Sequence, residues 1–265
     1  MKDRIDRSVL KFWSDKEKRL EAAHLLDLCE AALHDFEVIR TPFLSPALVN
    51  WLEGIIRQER LKYRIEGGFP EPERVRFLIS TQDRALEKAS NEIGILEVHA
   101  SNPQGTLEHR QILGSLMGLG LKREVVGDIR PIPQGIGVAV SEEIADYLIR
   151  EWDKAGREKI RVQRVEGQLE LIPDQGEERR ITVASSRIDA VAATSFNISR
   201  TVFQDLIIQG KVKRNDLVVL KTDAEVQPGD IISCRGYGRI RLVDSSETRK
   251  GRIAWNIILY KPQKR

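Results

Sequence analysis

"SSRIDAVAATSFNISRTVFQDLIIQGKVKRN", residues 185–215, decides how the C-terminal third of this chain folds. It holds two apolar patterns of helical spacing, each opened by a Ser-Arg pair, Ser186-Arg187 and Ser199-Arg200. The first predicts a helix from Arg187 that buries Ile188, Val191 and Ala192 and is interrupted at Ser195-Phe196-Asn197. The second predicts a helix from Ser199 that buries Val202, Phe203, Leu206 and Ile207, with Gly210 as its left-handed cap. Asp189 lies three residues after Ser186, the spacing of a capping box, so these two are expected to cap the first helix. In "KVKR", Val212 is expected inward while Lys211 and Lys213 share the outward face. Asn215-Asp216 then forms a two-residue hairpin turn into "LVVL". "QPGD" and "GYG" turn the chain into "IISCR" and "RIRLV", and "GRIAWNIILY" supplies a last strand.

The two arginines pose an electrostatic question. A helix start carries partial positive charge from unpaired amides, so a cation there is disfavoured by about 0.3 kcal/mol or more. A bound anion removes that penalty, and free amides beside a guanidinium make a phosphate site. Arg187, Arg200, Lys211, Lys213 and Arg214 are therefore expected on one patch, gripping a nucleic-acid backbone at two points. Arg235, Arg239 and Arg241 extend the cationic set, and Ser199, Thr201, Gln204 and Asn215 supply polar contacts beside it.

Charge distribution agrees. Residues 181–265 hold 15 Lys and Arg against 8 Asp and Glu, or +7, whereas the whole chain is +3, leaving −4 for residues 1–180. A basic C-terminal end suits a polyanion partner. At 265 residues the chain has room for two or three small domains. No stretch approaches the roughly 18 apolar residues of a membrane span, and the N-terminus carries neither a signal-peptide core nor the acid-poor composition of a transit peptide. A cytoplasmic monomer with no membrane partner is expected, a plastid stroma being the weaker alternative. Cys29 and Cys234 give no disulfide framework, and His24, Cys29 and His34, spaced by five, cannot converge on one ion; no metal or cofactor is expected.

Residues 1–73 read as a helical N-terminal region. Ser14 and Glu17 suggest a capping box before "SDKEKRLEAAHLLDLCEAALHDF", with Leu20, Ala23, Leu26, Ala31 and Leu33 on its apolar side, and "TPFLSPALVNWLEGIIRQERL" a second helix with Pro46 in its first turn. "EGGFPEPER" breaks the pattern. From 74 to 166 the texture alternates. "RVRFLIS", "GILEVHAS", "IGVAV" and "KIRVQRV" read as strands. "TLEHRQILGSLMGLG" reads as a helix with Ile112, Leu113, Leu116 and Met117 on one stripe, and "SEEIADYLIREWDKAG" as a helix opened by Ser141. This predicts an RRM-like or ferredoxin-like α+β domain. Residues 167–180 read as a linker, and 181–265 as the basic domain, so the fold class is α+β.

Nucleotide-loop motifs fail: "GLGLKR", "GIGVAV" and "GYGRIR" each lack a third glycine, and there is no phosphate-loop sequence. Gly114 and Gly118 suggest close packing of a helix onto a sheet. His109, Glu108, Asp128 and Asp189 are the acid–base candidates, yet none belongs to an activated constellation, so an enzyme is not expected.

The pattern Ser-Arg-Ile-Asp, Ser-Arg, Ile-x-x-Gly-x-Val and a closing Gly-Asp strand resembles the S4 RNA-binding domain. "EGGFPEPERVR" and "EHRQILGSLMGLGLKREVVGDI" resemble the YlmH-type proteins, including the cyanobacterial and plastid photosystem II S4-domain group, across most of residues 40–265. The resemblance implies a helical N-terminal part, an RRM-like middle domain and an S4 domain. It further implies association with the large ribosomal subunit, its rRNA and tRNA, and in some relatives rescue of stalled translation. Two departures stand out: Gln111 where many relatives carry Asp, and Asn215-Asp216 where Asn-Gly is common. The reading is a non-enzymatic binder of structured RNA. Its alternatives are an RNA-modifying enzyme of pseudouridine synthase or rRNA methyltransferase type, and an assembly factor for a photosynthetic complex.

Overall fold

The computed structural model describes residues 5–34, 38–90, 92–102, 104–167, 169–172, 176–215 and 217–261, and every structural statement below concerns these residues. The chain forms two compact units, residues 1–172 and 173–265.

The first unit opens with helix α1 (Lys16–His34). Asp15, not Ser14, caps it: its carboxylate accepts from the Lys18 amide at 2.8 Å. The buried stripe is Ala22, Leu25, Leu26, Cys29 and Ala32, while Leu20 is left exposed, so the expected apolar face is rotated. Burial pushes the Cys29 thiol up to about 12, which leaves it an apolar core residue. Pro46 stands at the first turn of α2 (Pro46–Gln58), as its fixed φ favours. The region is not wholly helical. Strands β1 (Ile39–Arg40), β2 (Lys62–Glu66) and β3 (Arg76–Ser80) form an antiparallel sheet in the order β1-β3-β2, followed by the short helix α3 (Asp83–Lys88). "RVRFLIS" therefore pairs within the N-terminal part and not with the middle sheet. Its fully buried Phe77, Leu78 and Ile79 look the same in sequence wherever they pack.

The middle part comprises β4 (Ile93–Ala100), α4 (His109–Gly118), β5 (Val126–Ile132), β6 (Gly135–Ser141), α5 (Glu142–Glu151), β7 (Lys154–Ala155) and β8 (Glu158–Arg164). The sheet order β5-β6-β4-β8-β7, antiparallel throughout, is that of a split βαβ or ferredoxin-like fold with a short extra edge strand. The fourth main strand is "VVGDIRPI", which the sequence reading passed over. One face of the sheet, with Leu96, Val98, Val138 and Val140, packs on Ile112 and Leu116 of α4 and Ala145 and Leu148 of α5. The opposite face holds Ile93, Ile95 and Ala139, which pack with Phe43, Phe69, Leu169 and Leu171. The face that an RRM uses for base stacking is thus partly roofed by the chain itself.

The two YlmH-like stretches meet here. The backbone amides of Glu73 and Arg74 donate to Asp128 at 2.8 and 2.9 Å. The Arg74 guanidinium donates to the carbonyls of Phe43, Val126 and Arg123. Burial, with Arg74 adjacent, lowers the Arg123 pKa to about 10. Gly68, at φ +85, lets the chain lie close over the middle sheet: a Cβ there would lie 2.7 Å from Ile95. Asp128 is therefore a tether between segments, which uses its carboxylate on amides. At α4, Glu108 is the N-cap and Gln111 completes a capping box, its side chain accepting from the Glu108 amide at 2.9 Å. Gly114 and Gly118 do not pack on the sheet: a Cβ on either would meet nothing within 4 Å.

The second unit begins earlier than the linker reading allows. Residues 177–180 are already strand: β9 (Glu177–Val183) pairs with β14 (Ile253–Tyr260). After β9 come α6 (Ile188–Phe196), α7 (Arg200–Ile208), β10 (Val212–Arg214), β11 (Leu217–Val218), β12 (Ile231–Cys234), β13 (Gly238–Glu247) and then β14. The sheet runs β11-β10-β12-β13-β14-β9. Ile188, Val191, Ala192, Phe203 and Ile207 pack against Val212, Ile232, Ile240, Leu242, Trp255 and Ile257. Val202, expected inside, is 42% exposed. Ser195 and Phe196 stay helical, and the break spans residues 197–199, opened by Asn197 at φ 55, ψ 48.

Candidate nucleic-acid interface

A three-residue turn, 197–199, joins α6 to α7, and the side chains of Arg200 and Gln204 on α7 reach back to Asp189 in the first turn of α6. Asn197, in the left-handed region that its side chain tolerates, ends α6, and Ser199 two residues later caps α7 through the Val202 amide at 3.2 Å. Upstream of α6, the Ile188 amide donates to Ala224 and the Val226 amide to Ser186, clamping the start of α6 to the loop after β11.

Between these helix starts lies Asp189, 0% exposed. It does not cap α6: its carboxylate faces three side chains. Arg200 donates to Oδ1 at 2.9 Å and Gln204 to Oδ2 at 2.7 Å, while Arg187 approaches both oxygens at 3.3 and 3.2 Å. Burial alone would raise the Asp189 pKa; the hydrogen bonds from Arg200, Gln204 and Arg187 outweigh it and hold the carboxyl below the usual aspartate range. The cap of α6 is Arg187 itself, without a side-chain cap bond. The electrostatic oddity of two arginines at helix starts is thus answered inside the protein. Both arginine side chains remain substantially exposed, at 40% and 49%. Because they share one carboxylate, the two cations form one pair and not two separate sites.

A second carboxylate organises the hairpin. Asp230 pairs with Arg214 at 2.7 Å and accepts from Asn215 at 2.8 Å and the Gln227 amide at 2.7 Å. Arg214 also donates to the Glu225 carbonyl, next to the loop that clamps α6. Arg214 and Asn215 are committed to this framework, which makes them supports of the surface. Asn215 takes the positive φ of the turn (49°), whereas its turn partner Asp216 lies outside the described residues.

The expected single patch divides by the pleat. Val212, Ile232 and Ile240 face the helices, so Lys213, paired with Ser233, and Arg239, paired with Ser233 and Tyr260, project from the other face, together with Arg241. Arg239 lies over the Tyr260 ring at 4.7 Å. Arg187, Arg200 and Arg214 belong to the helix side. Lys211 and Arg235 are exposed where β10 begins and β12 ends, joined by the Arg235 amide to Lys211 carbonyl bond. Thr201 is exposed beside Arg200. Sequence reasoning missed Asp189 as a hub and Asp230 altogether; the Asp189 signal was present as the acidic residue two after the first Ser-Arg.

The fold and site define a two-unit α+β protein: a ferredoxin-like domain with a helical and three-stranded N-terminal part, then a module that presents arginines on a buried aspartate. Residues 17–84 match the family model described as "YlmH, N-terminal", and residues 87–168 the one described as "Putative RNA-binding domain in YlmH". Together these matches span more than half of the chain, which belongs to the YlmH family. Their junction, between residues 84 and 87, falls within α3 and leaves β3 in the N-terminal part. The chain is 29% identical over 244 residues to the "Ribosome-associated protein quality control protein P2" of Bacillus subtilis (strain 168), covering 91% of this chain and 94% of that one. Among solved structures it is similar to "Cell division protein ylmH from Streptococcus pneumoniae", with TM-score 0.48 and 19% identity over 58% of this chain and 94% of that one.

Proposed function

We propose that this protein is a non-enzymatic binder of structured RNA that acts on the ribosome, in quality control of translation, through an S4-type C-terminal unit. The observation that carries the reading is the Asp189 cluster, with two half-exposed arginines fixed at adjacent helix starts. Phosphate contacts of this kind position RNA by shape without reading its sequence. The family description of residues 87–168 and the ribosome-associated name of the Bacillus relative support the same reading. The two family matches end at residue 168, so the S4-type assignment rests on the helix pair, the hairpin and the basic set of the second unit. The finer partners are rRNA of the large subunit and tRNA, met in the cytoplasm.

The test is fluorescence anisotropy with a labelled RNA stem–loop across a salt series, beside co-sedimentation with purified large subunits. Binding weakens with salt, with a log–log slope of about 0.7–0.9 per phosphate contacted. Arg200→Ala and Lys211→Ala each flatten the slope by about that unit. Unchanged slopes in both variants overturn the assignment of the surface, and failure to sediment overturns the ribosomal role.

A further inference from the structure

We propose that Asp189 is a positioning residue of the RNA interface: its buried carboxylate holds the guanidiniums of Arg187 and Arg200 in a fixed pair that matches phosphates by geometry, at the cost of one unit of attractive charge. The proposal rests on the RNA-binding reading and deepens it.

Point-charge reasoning says that an aspartate between two phosphate-binding arginines is harmful, because it repels the polyanion. The structure argues the opposite. Asp189 has no exposure to solvent, so its charge meets RNA only through the arginines that cover it. Each arginine extends from a different helix start, and with Asp189 they are the three members of an ion-paired cluster closed by Gln204. A guanidinium has five donors in a rigid fork, and the hydrogen bonds to Asp189 use two of them on Arg187 and one on Arg200. The remaining edges are oriented, not tumbling, so less side-chain entropy is lost when a phosphate docks. Two arginines and one carboxylate leave a local charge of +1, less than a loose basic face would supply. Selectivity for a folded phosphate arrangement over any polyanion follows from that trade.

Asp189→Asn separates the two views, because it removes the buried negative charge, raising the local charge from +1 to +2, while weakening the hold on both guanidiniums. The expected result is a loss of about tenfold in affinity for a labelled RNA stem–loop, equal to about 1.4 kcal/mol, with undiminished or stronger binding to heparin. In the double variant with Arg200→Ala, the two losses are less than additive, since both break the same bond. Tighter or unchanged RNA binding by a folded Asp189→Asn protein overturns the proposal. Should that variant melt before binding is measured, Arg187→Lys with Arg200→Lys keeps both charges and loses the fork. Positioning predicts the same tenfold loss for this double variant, and unchanged affinity overturns it. The guanidinium N–H resonances of the free protein give a reading without RNA: dispersed and slowly exchanging signals from Arg187 Nε and Arg200 Nη2 that collapse in Asp189→Asn. If wild type binds no RNA but shows these signals, the functional reading fails while the positioning geometry stands; unperturbed signals in the variant refute the geometry itself.

Discussion

Asn215 and Asp230 lock the β10–β11 turn from beneath: the Asn215 amide donates to Asp230 at 2.8 Å, and its oxygen accepts from the Ile231 amide at 2.8 Å. The side chain that starts the turn is therefore also the bracket that fixes it to the neighbouring strand.

This bracket makes Asn215→Gly destabilising, although glycine is the residue a positive φ would favour. Losing two partly buried hydrogen bonds costs about 1–2 kcal/mol, against which the relief of backbone strain is smaller. Chemical denaturation of the wild type and variant measures the difference, and a stabilised Asn215→Gly protein would refute the bracket.

Acid should act on the second unit through Asp189. Its folded pKa is depressed, so the stability it contributes is complete above the ordinary aspartate value of about 3.9 and is lost as pH falls through the lower folded value. Amide exchange in α6 and α7, followed from pH 6 down to pH 3, checks this. Wild type loosens in that range, and Asp189→Asn is weaker throughout but less dependent on pH.

Gly114 lies within α4 with nothing near its missing Cβ. Gly114→Ala therefore stabilises, by about 0.5–1 kcal/mol, because a helix-interior glycine costs entropy that nothing inside the protein repays. Thermal unfolding reads this as a rise of a few degrees; a fall would mean that the helix face is covered.

Phe69→Ala removes a ring from the roof over the middle sheet, where it meets Phe43 and Ala139. The expected loss is about 3–5 kcal/mol in the first unit, seen as faster amide exchange in β4 and β6. Affinity for RNA through the second unit stays unchanged.

Much of this was legible in the sequence, for identifiable reasons. The S4-like stretch gave both helices, the left-handed Gly210 and the alternation around Val212, since turn chemistry and period act locally. The ferredoxin-like character of the middle part was readable, but not its strand membership. "RFLIS" and "VVGDIRPI" are both short apolar runs, and only the sheet partner tells them apart. Residues 177–180 read as linker because Glu177, Glu178, Arg179 and Arg180 are polar, yet they form an edge strand whose outer side tolerates charge. Asp189 shows the limit most clearly. Its spacing fits a capping box, and spacing cannot reveal that Arg200, eleven residues on, folds back to claim the same carboxylate.

The pairing of β9 with β14 sets Glu177 opposite Leu259, so the chain enters and leaves the second unit at one edge of one sheet. Such a unit behaves as a plug-in cartridge. It can be excised, joined end to end by a short linker, or spliced into an exposed loop of another protein without stretching its core. The arginine pair travels with it, because every residue that fixes the pair lies between those two adjacent ends.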